Sequence, residues 1–428
     1  MKKLLCLLML MVCVLMISSF SVAETTKKDV TLTYWNRYSA DPMKGGMQKL
    51  IADFEAKYPW IKIEENSTSD ADYKTALPIV LASEDPPDFF YWYGGKSLKQ
   101  FVDAGLVYDL NNYYSEFGWE KGLGSSSLEV VNYDGVYYAV PTEESMTLLY
   151  VNKTKFEEMG LDYPKHDEII SWEEFLNLCE KIKNKGVTPI ILGNGDQWCS
   201  QLWTGYVIAN NLGVDAFYDI HTGKKPFNDP DVVASLEIIE RDLLKNGYFN
   251  NNINGLDYFA SLGPFLKNGA FFMGLVWMEQ FLTMVMGEDK IELDYMLFPR
   301  INPKVGYAVC STIEGIQVMS AKTKHPDETA LWLDFIISEE AAGKWGSFVP
   351  YLIPTISARD KVSKRNFEVS KSMEGYDTFW IPDHIINRAF VVNFYAELGA
   401  FFGQIQDAKT TLNNLQDFAK ELDYVGSR

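Results

Sequence analysis

The motifs that would carry covalent chemistry are missing from this sequence. It has no G-x-S-x-G elbow, no phosphate-binding loop and no G-x-G-x-x-G following a strand pattern. Histidine is scarce: His166, His221, His325 and His384 are the only four, scattered through the chain with no metal-ligand spacing between them. No metal, cofactor or catalytic residue is therefore expected. Cysteine is scarce too, with five in the chain. Cys6 and Cys13 fall in an apolar leader. Cys179, Cys199 and Cys310 remain, and an odd number leaves at least one thiol unpaired. Basic charge is short as well: 39 Lys and Arg stand against 58 Asp and Glu, a net charge of −19. Nucleic acid and anionic membranes need a basic face, so neither is expected as a partner.

One apolar run does occur. Lys2 and Lys3 precede an apolar stretch over residues 4–17, and Ser21-Val22-Ala23 ends in the small-x-small pattern that signal peptidase needs. The run is shorter than the ~20 residues of a membrane span. Residues 1–23 are expected to be an export signal cleaved after Ala23. Val12 precedes Cys13 where a lipidation box would carry a small residue, so a lipid anchor is not expected.

The 428 residues give room for two or three domains, and 47% hydrophobic with 23% charged residues marks a globular chain. Residues 30–35 alternate as a strand, residues 47–58 show helical spacing, and residues 60–63 alternate again: a β-α-β unit. Further α/β alternation follows, with strands expected at 88–92, 188–192, 270–275, 293–298 and 315–320. Ser171 with Glu174 three residues on forms a capping box opening a helix that runs to about Lys185.

Residues 134–153, DGVYYAVPTEESMTLLYVNK, organise the chain. Pro141 cannot donate to a ladder, so a strand over 136–140 should stop there and a second should run over 147–151. The polar break between them, with Glu143 and Glu144, reads as a crossing between two lobes whose carboxylates face a cleft. The plain alternative is a strand–turn–strand with a solvated acidic pair.

Aromatic residues reach 14%, with eleven Trp. Many fall in turns: Trp35, Tyr91-Trp92-Tyr93, Trp198, Trp277 and Trp380. Each alone suits core packing. As a set beside acids they suit a polyol, whose C–H face is covered by flat rings while Asp, Glu, Asn and Arg take the hydroxyls.

In order along the chain stand LTYWNRY, LIADFEAKYPWIKIE, PPDFFYWYGGKSLKQFVDAGLVYDL, DGVYYAVPTEESMTLLYVNKTKFEEMGL, SWEEFLNLCEKIKNKG, FLKNGAFFMGLVW, YMLFPRI and GIQVMSAKTKHPDETALWLDFI. Together these resemble the family 1 extracellular solute-binding proteins of bacterial ABC importers. The resemblance covers essentially the whole chain after the leader. It implies an α/β fold of two lobes, each a sheet flanked by helices, joined by hinge crossings and closing on a ligand. It assigns residues 24–142 and 304–355 to one lobe, and 143–303 and 356–428 to the other. Carried over by position, it places Trp35 and Asn36 beside the ligand, Trp92 as a stacking ring with Tyr91 next to it, and Glu144 as the cleft carboxylate. Asp196 with Trp198, and Trp277, follow in the second lobe, with Phe394 and Tyr395 near the place of a last stacking aromatic. The family's basic residue after the first strand is matched by Arg37 or Lys44. Glu279 and Glu314 are additional acids near cleft positions, and Trp380 adds a ring in a segment without a family counterpart.

The expectation is a monomeric carbohydrate-binding subunit that hands a mono- or oligosaccharide to the transmembrane subunits of an ABC permease and catalyses nothing. Two alternatives stay open: a binder of a polyamine or peptide, with amines over aromatic faces, and a secreted glycosidase using a carboxylate pair.

Overall fold

The computed structural model describes residues 28–424, apart from residues 288, 289 and 373. The expected leader, with Cys6 and Cys13, lies outside the described residues.

Eleven strands form in the described chain. They are β1 (Val30–Asn36), β2 (Ile61–Ser67), β3 (Phe89–Trp92), β4 (Asn132–Tyr133), β5 (Val136–Tyr137) and β6 (Ala139–Asn152). Then come β7 (Thr188–Ile191), β8 (Gly269–Leu275), β9 (Leu293–Met296), β10 (Ala308–Met319) and β11 (Asp377–Phe379). Nine of them make one mixed sheet in the order β2-β1-β3-β10-β6-β8-β7, with β11 beside β10 and β9 beside β6; β4 and β5 pair separately.

The β-α-β opening is as expected: β1 and β2 run parallel, joined by the helix Met43–Lys57, which buries Met47, Leu50, Ile51 and Phe54. Its apolar stripe recurs every three to four residues, the spacing that keeps one helix face inward. Against this end of the sheet pack the helices Pro326–Ile336 and Glu339–Trp345. The other end carries its own layer, including Trp172–Asn184, Ser200–Leu212, Pro230–Ile239, Arg388–Phe402 and Ala408–Glu421. The capping box holds: Ser171 Oγ accepts from the Glu174 N–H, and Glu174 returns the bond to the Ser171 N–H.

Two long strands join the two ends. The first half of β6 pairs with β10 through Met146, and from Thr147 onward it pairs with β8 and β9. β10 pairs with β11 over Ala308–Cys310, with β6 from Ser311, and with β3 at its far end. The expected stop at Pro141 does not occur; β6 runs unbroken for 14 residues. The reason lies on the partner strand. Pro141 faces Ile316 beside a pair of register shifts at Gly315, where the ladder is already interrupted. A bulge is one of the few sheet positions that tolerates proline's missing N–H.

Local signals elsewhere were partly overridden. β10 begins at Ala308, well ahead of the expected start at Gly315. The helix ahead of β8 spans Leu262–Asn268. Cys179, Cys199 and Cys310 are all buried and unpaired. No helix of the described residues is long and apolar enough to cross a membrane.

Candidate functional site

In an extended strand successive side chains point to opposite faces, and on β6 this parts the two acids. Glu143 is fully buried. Its Oε1 accepts from Tyr38 Oη at 2.6 Å and from Trp345 Nε1 at 3.2 Å. Burial pushes its carboxyl above the usual range, against the pull of Arg37. Across the ladder stands Gly315, where a Cβ would fall 2.5 Å from Glu143 Oε2 and 2.7 Å from Tyr91 Cε2. Only glycine leaves room for that contact.

Arg37, in the loop after β1, lies over this face. Its guanidinium sits 4.9 Å from the Tyr91 ring centre and 5.6 Å from that of Tyr93, a cation–π arrangement. Nη2 donates to Tyr351 Oη at 3.1 Å. Longer ion-pair contacts reach Asp70 at 3.8 Å and Glu143 at 3.9 Å. Tyr93 Oη donates to Asp70 Oδ1 at 2.5 Å, which completes a ring of groups around the cation.

The register shift in β10 adds one residue, Glu314, between Ile313 (opposite Glu144) and Gly315 (opposite Glu143). An inserted residue re-aims its side chain. Glu314 is half-buried, and its carboxyl is raised by burial, while His384, Arg37 and a hydrogen bond from the Trp277 indole pull it back. Its carbonyl accepts from Tyr91 Oη at 2.5 Å. His384 Nδ1 is 3.0 Å from Thr312 Oγ1 on the same strand. Next to it, Asp383 accepts from Tyr395 Oη at 2.5 Å, while its other oxygen is buried without a hydrogen-bond partner.

From the far end of the sheet, Trp277 follows β8 and lies 6.3 Å from the ring of Tyr258. The Trp198 ring is 4.7 Å from Tyr258, and the Tyr258 N–H donates to Asp196 Oδ2 at 3.0 Å. Tyr258 thus gathers the three expected residues Asp196, Trp198 and Trp277 on one surface. Trp277 and Glu314 join that surface to the Arg37 cluster.

Other expected residues are held elsewhere. Asn36 is fully buried, its amide donating to Glu65 Oε1 at 2.7 Å and its carbonyl accepting from the Tyr38 N–H at 2.9 Å, so both polar groups serve the loop. Trp92 is 5% exposed; it donates to the Ser97 carbonyl and packs on Phe101 and Tyr73. Its ring also meets that of Tyr93 edge-on at 5.7 Å, so it backs the aromatic face from inside the core. Trp35, half-buried at the end of β1, packs against the core. Trp380 is 3% exposed, edge-on to Tyr218, with its ring over the bare backbone of Gly95. Glu279 Oε2 is 2.8 Å from Arg365 Nε, an ion pair at the margin of the aromatic surface. Glu144 points to the opposite face of β6, towards Ser126 and Ser311.

Sequence reasoning had named Glu143 as half of the acidic pair at the crossing, but had given no site role to Tyr258, Asp383 or His384. A lone histidine carries no local signal; only the fold brings residue 384 against residue 312. Among the described residues no group of His, Cys, Asp and Glu is arranged to hold a metal ion.

Residues 40–343 match the family described as bacterial extracellular solute-binding protein. An uncharacterized ABC transporter extracellular-binding protein of Pyrococcus horikoshii is 23% identical over 393 residues, 89% of this chain and 84% of that one. The multiple sugar-binding protein of Streptococcus mutans is 26% identical over 346 residues, 76% of this chain and 75% of that one. Among solved structures, the bacterial solute receptor AcbH, described by an exclusive preference for β-D-galactopyranose, shares the fold. Its TM-score is 0.78 at 19% identity, over 92% of this chain and 98% of that one.

Proposed function

Because the chain belongs to the bacterial extracellular solute-binding proteins, we propose that it is the carbohydrate-binding subunit of an ABC importer. It captures a mono- or oligosaccharide between the two ends of its sheet and delivers it, unaltered, to a membrane permease. The observation that carries this reading is the meeting of Trp277 with Glu314 beside Arg37: an aromatic face, an acceptor and a donor fork brought from both sides of the crossing strands. A sugar offers the matching surfaces, an apolar C–H face and a rim of hydroxyls. The names of relatives such as the Streptococcus mutans protein support the same class of ligand.

The change of partners along β6 at Met146/Thr147 and along β10 at Cys310/Ser311 supports a hinge at those steps, a few residues from the lobe boundaries expected at 142/143 and 303/304. Ligand touching both sides favours the closed population by its differential affinity for that state. A dissociation constant of about 1 μM corresponds to about 8 kcal/mol.

A second reading, a solute bearing an amine, is favoured by the unpartnered buried oxygen of Asp383 near Glu314. Titration calorimetry against mono- and oligosaccharides, and against amines of similar size, separates the two. Saturable sugar binding with the sugar recovered intact is expected. Binding of amines alone, or cleavage of the sugar, would overturn the proposal.

A further inference from the structure

The far face of β6 carries a cavity that the sugar reading does not use. Its volume is about 350 Å3, and Ser125, Ser126, Glu144, Arg359, Tyr376 and Thr378 are among its walls. Small-molecule sites span about 300–1,000 Å3.

Its floor is Glu144, whose side chain is 4% exposed. Oε1 accepts from Ser126 Oγ and Ser311 Oγ, each at 2.9 Å. Oε2 accepts no hydrogen bond among the described residues, and Arg359 Nη2 stands off at 4.0 Å. Arg359 is itself only 17% exposed. Its other charged contact, to Glu374, is 3.8 Å long, and its buried Nε has no hydrogen-bond partner. A guanidinium presents five donors in a rigid fork. Leaving the Arg359 Nε–H buried and unfilled costs free energy.

The fork is also positioned. A Cβ on Gly124 would fall 2.9 Å from Arg359 Nη2, so the guanidinium rests on bare backbone at the start of the helix Ser125–Glu129. Two acids, Glu144 and Glu374, face one cation here, which disfavours an anion as occupant. A hydroxyl suits both partners, donating to the carboxylate and accepting from the guanidinium, and neighbouring hydroxyls suit the fork.

We propose that this cavity is a second binding site, for a neutral polyhydroxylated solute of monosaccharide size held between Glu144 and Arg359. Its walls come from residues 124–126 on one side and from the approach to β11 on the other. An occupant therefore touches both ends of the sheet behind the crossing strands. By linkage it and a cleft ligand alter each other's affinity by the same factor. That coupling presupposes a closing cleft; the second site does not.

The test is calorimetry on the purified chain carrying Trp277→Ala, titrated with D-glucose, D-galactose, myo-inositol and glycerol. At least one probe should bind saturably at one site per chain. Adding Gly124→Ala, which pushes the guanidinium aside, should weaken that binding at least tenfold, and Arg359→Lys, which removes the fork, should do the same. Thermal melts confirm that each variant is folded. No saturable binding of any probe, or residual binding unmoved by Gly124→Ala and Arg359→Lys in folded protein, overturns the site; so does a structure at saturating probe with water alone in the cavity. If the unsubstituted chain shows only the binding that Gly124→Ala removes, the cleft reading fails while the second site stands.

Discussion

Tyr38 Oη donates to Glu143 Oε1 at 2.6 Å, fastening the loop after β1 to the middle of a strand that runs through both ends of the sheet. Both residues are fully buried. Removing the hydroxyl leaves Oε1 with the longer Trp345 bond alone. Tyr38→Phe should lower unfolding stability by about 1–3 kcal/mol, the usual cost of stripping a partner from a buried polar group. Denaturant unfolding of the two chains measures it; equal midpoints would show that the bond contributes nothing.

The same carboxylate sets a pH dependence of stability. Its pKa is raised, chiefly by burial. A carboxyl raised in the folded state holds its proton more tightly there than in the unfolded chain. Its contribution is fully present below the unfolded value and is lost as pH climbs through the folded one. Glu143→Gln does not titrate and keeps an oxygen for Tyr38 and Trp345. The unfolding midpoint of the variant, relative to the parent, should therefore rise as pH climbs from the ordinary carboxylate range through the raised folded value. A constant difference would remove Glu143 as the source.

Trp277→Ala should weaken saccharide binding at least tenfold, about 1.4 kcal/mol, while leaving the melting temperature close to that of the parent, because the ring is half-buried at a surface. Calorimetry with the best-bound sugar reads the affinity. Unchanged affinity would take Trp277 out of the site.

Glu314 gives the cleft its own pH signature. Burial raises its carboxyl, with His384, Arg37 and Trp277 opposing and Asp383 adding. The ionised form only accepts hydrogen bonds, and sugar hydroxyls donate to it. Affinity should fall as pH drops through the raised value, and Glu314→Gln should flatten the profile. His384 faces the same carboxylate, so His384→Gln serves as the control. A slope that survives Glu314→Gln and vanishes with His384→Gln would assign the titration to the histidine instead.

Where the governing signal is local, the sequence was readable. The capping box of Ser171 and Glu174 needs only three residues of spacing, and it formed as expected. The β-α-β opening and the placing of Trp277 just past an apolar strand are equally local. Pro141 misled because its tolerance depends on a register shift opposite Gly315, some 170 residues away along the chain. Asn36 and Trp92 sit at strand ends, as expected, but the neighbours that enclose them, Glu65 and Phe101, belong to other elements. Asp383 and His384 reach Glu314 only because β11 lies alongside β10.

By itself, then, the chain's order of residues determined the α/β class, the aromatic supply and the two adjacent acids at the crossing. Only the tertiary structure decided that Glu143 joins Arg37, Tyr38 and Tyr91 while Glu144 turns to Ser126, Ser311 and Arg359. The physical reason is the period of two in a strand. Which of two neighbours faces a given side is fixed by pairing register, and register is a property of the partner strands.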